Sequence, residues 1–169
     1  MKSRYLAVAF AMLCALMLAH PVAAQTTFDA FLNGTSEFPS NASPGTGFGQ
    51  VVLNAAQNQI TVDESWSGLT APATASHIHG PAPAGMNAPV LFPFSGVPAA
   101  TAGSIPTQSF AITPTQVSDL FNGLYYMNVH TSTFPGGEIR GQLLIVPEPA
   151  TAWLLGIGAA SLLLKRRAI

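Results

Sequence analysis

The sequence predicts an all-β domain, a β-sandwich or Greek-key barrel of about eight short strands with one short helix, followed by a C-terminal hydrophobic helix. Three observations carry this. From Gln25 to Ile145, short segments of alternating polarity are separated by Gly, Pro, Asn and Ser, and a period of two marks a strand with one buried face. Only one segment has the caps and spacing of a helix. The single cysteine, Cys14, lies near the N-terminus, so no disulfide framework, zinc ribbon or cysteine nucleophile can organise the middle, and core packing must hold it.

The first strand is expected where Phe28, Ala30 and Leu32 alternate with Asp29, Phe31 and Asn33. The second runs from Gly49 to Asn54, and the third from Gln59 to Trp66, where Ile60 and Val62 alternate with Thr61 and Asp63. Ala55–Asn58 joins them as a hairpin turn. Further strands fit Thr74–His79, Val90–Phe94, Ser104–Ile112, Leu124–Thr131 and Glu138–Ile145. Pro81, Pro83, Pro89, Pro93, Pro98 and Pro106 exclude a central strand from most of 81–106, which reads as a long ordered loop flanking one strand. The helix has Thr113 as N-cap, Pro114 at its first position and Gln116 closing a capping box. Val117, Leu120 and Phe121 form its apolar face, and Asn122-Gly123 ends it with a left-handed cap.

Both termini are apolar and basic. Lys2 and Arg4 precede the apolar run Leu6–Leu18, which His20 and Pro21 break. Val22-Ala23-Ala24 then offers small residues to a signal peptidase, with cleavage between Ala24 and Gln25. At the other end, Pro147-Glu148-Pro149 precedes the apolar run Ala150–Leu164 and the cluster Lys165-Arg166-Arg167. That run is marginal for a hydrocarbon core of ~30 Å. Cations at both ends stay inside, so the middle must be outside. The expected organisation is a signal peptide at 1–24, a β domain at 25–145 and a membrane-inserting tail at 146–169.

The β domain holds Arg140 alone against Asp29, Glu37, Asp63, Glu64, Asp119 and Glu138, about −5. Nucleic-acid binding requires lysines and arginines against phosphates, and is excluded as a partner class. A cation, or simply a solvated acidic surface, fits the charge better.

Two motifs stand out. On a strand, His77 and His79 point to one face about 7 Å apart, and His130 ends another strand. If the strands pair, three imidazoles converge, a donor set for Zn or Cu completed by water or a carboxylate. Glu138 and Asp63 are the carboxylates to test. The alternative is that the histidines anchor the Pro-rich loop through backbone carbonyls. The second motif is Pro135-Gly136-Gly137, a tight turn after which Glu138 and Arg140 share a strand face and form a structural ion pair. Asp63 and Glu64 are adjacent, so on a strand they face opposite ways and make no acid/base pair. Hydrolase elbow, phosphate loop, zincin helix and dinucleotide fingerprint are all missing. Asn33-Gly34-Thr35 and Asn41-Ala42-Ser43 read as turns.

The tail, with Pro147-Glu148-Pro149, an apolar stretch containing Trp153 and Gly156, and a closing Lys-Arg-Arg, resembles the PEP-CTERM sorting signal of Gram-negative bacteria. The resemblance implies processing near Pro147-Glu148-Pro149 by an exosortase-type membrane protease, and association with exopolysaccharide and biofilm matrix. The middle resembles the CHRD domain in Ala30-Phe31-Leu32-Asn33-Gly34 with Glu37 and Pro39, Ala75 to Ala82, Asn87-Ala88-Pro89-Val90, Leu124 to Thr131, and Phe134 to Gln142. That family implies an immunoglobulin-like or Greek-key β-barrel with no established enzymatic activity. The His-x-His strand is also similar to that of copper–zinc superoxide dismutase, which uses more histidines than these three and an aspartate. A mononuclear site is what this chain could offer.

The expected function is that of an exported cell-surface or extracellular-matrix protein, a non-catalytic module binding exopolysaccharide or surface proteins. It needs no cofactor. Its processing partners are a signal peptidase and an exosortase-like protease, and its tail helix holds it at the inner membrane before processing. The rival is a mononuclear Zn or Cu domain, redox activity included, on His77, His79 and His130. Imidazole nitrogens within about 4–5 Å of one another would favour the rival.

Overall fold

The computed structural model describes residues 24–147. The expected signal peptide before Ala24, the tail's apolar helix, and Glu148 and Pro149 lie outside the described residues. Ala24, Gln25 and Pro147 are exposed at the two ends of the domain.

Among the described residues, ten strands form one curled antiparallel sheet, a half-barrel, with a single α-helix. The strands are β1 (Thr26–Asn33), β2 (Thr46–Leu53), β3 (Gln59–Ser67), β4 (Ala73–His79), β5 (Val90–Pro93), β6 (Gly103–Ser104), β7 (Gln108–Ala111), β8 (Tyr126–Thr131), β9 (Ile139–Gln142) and β10 (Leu144–Ile145), with α1 (Pro114–Phe121) before β8. The order across the sheet is β5-β4-β8-β9-β1-β2-β3-β6. β1, β2 and β3 form a meander, and the chain then crosses to lay β4 and β5 at the far edge. It returns to add β6 and β7 to β3, and crosses again through α1 to place β8 beside β4. β9 and β10 close the order along β1, at Asn33 and at Phe28–Asp29 respectively.

Strand alternation builds the core. Phe28, Ala30 and Leu32 of β1, Val51 and Leu53 of β2, Ile60, Val62 and Trp66 of β3, and Met127 and Val129 of β8 are buried together with Ile78, Ile139 and Leu143. Asp63 and Glu64 do face opposite ways, Asp63 outward and Glu64 into the core. There the Ser76 hydroxyl donates to Glu64, and burial pushes the Glu64 carboxyl up to about 8.

The helix forms as its caps dictate. The Thr113 side chain accepts from the Gln116 N–H, the Thr113 N–H donates to the Gln116 side chain, and Gly123 ends the helix at φ +67°. Eight residues are too few for an isolated helix. Burial of Val117 and Leu120, about 1.5–3 kcal/mol each, holds it to the sheet, while Phe121 meets Phe28 edge-on.

Two expected strands are each divided. Pro106 lacks the N–H that a ladder needs, so Ser104–Ile112 appears as β6 and β7 on either side of it. The terminal strand starts at Ile139 and breaks at Leu143, whose N–H donates to the Tyr125 carbonyl. Both Asn turns form: Asn33 caps a short 3-10 turn at Gly34–Ser36, and Asn41 accepts from the Ser43 N–H.

Candidate metal centre

The β4–β8 ladder builds the site. Its register sets His77 opposite Asn128, His79 opposite Tyr126 and Ala75 opposite His130. Alternation therefore places His77, His79, Tyr126, Asn128 and His130 on one face, with Ile78, Met127 and Val129 turned to the core. One ligand nitrogen from each of His77, His79 and His130 lies within 4.8 Å of the others. It is the one group of three or more potential metal ligands among the described residues.

Backbone carbonyls from two loops orient two of the rings. His79 Nδ1 lies 2.9 Å from the Ala88 carbonyl, and His130 Nδ1 lies 2.9 Å from the Pro135 carbonyl. A carbonyl can only accept, so these partners assign the proton of each neutral ring to Nδ1 and leave Nε2 bare. His79 Nε2 is buried without a hydrogen bond. His130 Nε2 faces His77 Nδ1 at 3.1 Å. Burial holds all three rings below the usual imidazole range, His77 at about 4, with His130 and His79 adding mutual repulsion on His77. At neutral pH the set is three uncharged donors. Nδ1 fixed by a backbone carbonyl with Nε2 turned inward is the outer-shell pattern of histidine ligands. A tetrahedral ion with bonds of ~2.0–2.1 Å needs neighbouring donors ~3.3–3.4 Å apart, so donors spread over as much as 4.8 Å would have to draw together to hold one. The three rings would leave one coordination position for water.

Behind His79 stands a stack. The Tyr126 ring lies parallel to His79, planes 5° apart and centroids 5.0 Å apart. The Arg140 guanidinium packs 3.3 Å over the Tyr126 ring. The sheet order β4, β8, β9 puts Tyr126 between the two. Arg140 is almost fully buried and donates to the Met86 carbonyl at 2.8 Å and to Asn87 at 3.3 Å. Burial pushes the nearby Glu37 carboxyl up to about 7, against the opposing pull of Arg140.

The expected Glu138–Arg140 ion pair does not form. Glu138 lies one residue before β9, so the alternation that would set it beside Arg140 has not begun. Gly137, at φ +135° and packed against Glu37, redirects the chain at that point. The Glu138 carboxylate accepts from Ser43 (2.7 Å), the Thr70 N–H (2.6 Å), the Thr70 hydroxyl (3.0 Å) and Thr131 (2.6 Å). Burial pushes it up, but the bonds from Thr131, Ser43 and Thr70 outweigh burial and hold it below the usual range. Its oxygens are committed, so Glu138 is not brought into the histidine group. Neither is Asp63, which faces outward on β3 and accepts from the Thr107 hydroxyl.

The expected anchoring of the Pro-rich loop by a histidine on a backbone carbonyl is present in His79 on Ala88, but the particular supports, Ala88, Pro135 and Tyr126, are not readable from the sequence. Ala88 and Pro135 act through backbone oxygens, which carry no sequence signature. Tyr126 needed the β4–β8 register. The available signals were the alternation of Tyr126, Asn128 and His130, and the Pro-rich loop that brings Ala88 back over β4.

Comparison with known families gives two matches. Residues 28–143 match the CHRD domain, and residues 146–167 match the PEP-CTERM protein-sorting motif. No curated protein matches the chain.

Proposed function

The chain belongs to the CHRD domain family and carries an exosortase sorting motif, and from that premise we propose that it is a non-catalytic surface module whose exported domain binds one Zn or Cu ion through His77, His79 and His130. The PEP-CTERM motif implies export, membrane-associated sorting and processing by an exosortase membrane protease.

The observation that carries the metal reading is the convergence of three imidazole nitrogens within 4.8 Å, with Nδ1 of both His79 and His130 held by backbone carbonyls. A buried Nε2 without a hydrogen bond costs free energy, and His79 carries one. A bound ion would satisfy it. Binding of exopolysaccharide or surface proteins by other faces of the domain is compatible with this reading and is not required by it.

The test is metal analysis of tag-free protein recovered after export. The proposal expects about one equivalent of Zn or Cu in the wild type and none in H77A/H79A/H130A. Wild-type protein without stoichiometric metal, even after loading and gel filtration, would remove the metal role and leave the sorted surface module.

A further inference from the structure

We infer that, before the tail is cleaved, the outer face of β1, β2 and β10 lies on the outer surface of the membrane that the tail enters. Among the described residues eight large apolar side chains are exposed, and four of them gather on this face. Phe31 is 72% exposed, Leu144 59%, Ile145 50% and Phe48 37%. Phe31 and Phe48 are cross-strand partners whose rings touch at 5.4 Å. Phe31, Leu144, Ile145, Val146 and Pro147 line one shallow cleft of about 420 Å³. Clustered exposed apolar groups of this kind mark an interaction surface.

The chain's own connectivity names the occupant. The sorting motif starts at Val146, inside the patch. Only Glu148 and Pro149 separate Pro147 from the apolar run Ala150–Leu164. An extended chain advances at most ~3.3–3.6 Å per residue, so Pro147 stays within about 11 Å of the first residue of that run. The headgroup layer on each side of a bilayer is about 5–8 Å deep. While the tail is inserted, the patch is therefore held at headgroup depth, where aromatic rings settle favourably. Charge does not oppose this. Among the described residues, Asp29 is the only ionisable side chain lining the cleft, and its carboxylate accepts from Gln50 at 3.0 Å. The β domain's negative charge favours a zwitterionic surface over an anionic one. Exosortase cleavage would remove the tether and free the face.

The mature chain is cysteine-free, so single cysteines can carry a nitroxide in the full-length chain after signal-peptide removal. The chain is reconstituted in phosphatidylcholine vesicles with labels at F31C, at L144C and, as a control in the β8–β9 turn at the opposite end of the sheet from the tail's exit, at T133C. The oxygen-to-nickel-chelate accessibility ratio should be several-fold higher at positions 31 and 144 than at 133, at every protein-to-lipid ratio. Equal ratios at all three positions would overturn the inference. So would protection that appears only at high protein density, which would assign the face to a second copy, or only with co-reconstituted exosortase, which would assign it to the protease. A label at G156C outside the bilayer would overturn it too, because the tether argument needs an inserted tail.

Discussion

His77 Nδ1 and His130 Nε2 meet at 3.1 Å, nitrogen to nitrogen, between two rings that burial keeps uncharged. His130 donates its Nδ1 proton to Pro135, so in the metal-free chain His77 supplies the proton that joins the pair. That hydrogen bond holds the His77 and His130 rings together; an ion bound between them would displace it, with the His77 proton moving to Nε2.

Metal binding should therefore stiffen two loops without changing the fold. Ala88 and Pro135 hold the outer nitrogens of His79 and His130. Added Zn should slow amide exchange of Met86, Asn87, Ala88, Phe134, Gly136 and Gly137 by about tenfold or more, and leave the β2–β3 turn unchanged. Hydrogen-exchange mass spectrometry checks this, with H79A as the control that should show no slowing.

Glu64 should make the domain less stable as pH rises. Its carboxyl goes from 4.5 to about 8 on folding, because burial disfavours the anion and Ser76 offsets this only partly. Between those values the folded chain keeps a proton that the unfolded chain has lost. The contribution is complete below about pH 4.5 and is lost as pH rises toward 8, at about 1.4 kcal/mol per pH unit from this group. Glu37, raised to about 7, adds a slope of the same sign over its own range. Urea unfolding from pH 5 to 8 should show the fall, and E64Q should flatten it and be the more stable protein at pH 8.

Glu138 should behave in the opposite sense, as a fixed anion. E138A leaves the Ser43, Thr70 and Thr131 donors around it without their acceptor, a loss of about 3 kcal/mol or more. E138Q keeps one acceptor oxygen and should lose less. Because its folded carboxyl is depressed, the stabilisation is present above its unfolded range and is lost as acid protonates it. Urea denaturation at pH 7 orders the three proteins.

The fold was legible wherever local chemistry decides. Thr113, Pro114, Gln116 and Gly123 each act alone on the helix ends, and the strand alternation of Ile60, Val62 and Trp66 needs only the period. What was not legible depended on contacts distant in sequence. Spacing pairs Glu138 with Arg140, yet its partners are Thr131 and, from other parts of the chain, Ser43 and Thr70, while Arg140 turns to Tyr126 and the Met86–Asn87 loop. The histidine group was legible as residue types but not as a site, because convergence depends on the β4–β8 register.

The sorting motif gives a cellular prediction. Replacing Pro147-Glu148-Pro149 with alanines should stop processing, so that the chain stays at full mature length in the membrane fraction. Immunoblots of fractionated cells check this. Unchanged release would show that the tail is only an anchor.

X-ray absorption at the metal edge of the purified, metal-loaded protein asks whether the three histidines hold the ion. Three imidazole nitrogens at ~2.0–2.1 Å with one further light atom are expected, with loss of that imidazole signature in H77A/H79A/H130A. A spectrum dominated by oxygen donors, or one unchanged by the triple substitution, would contradict it.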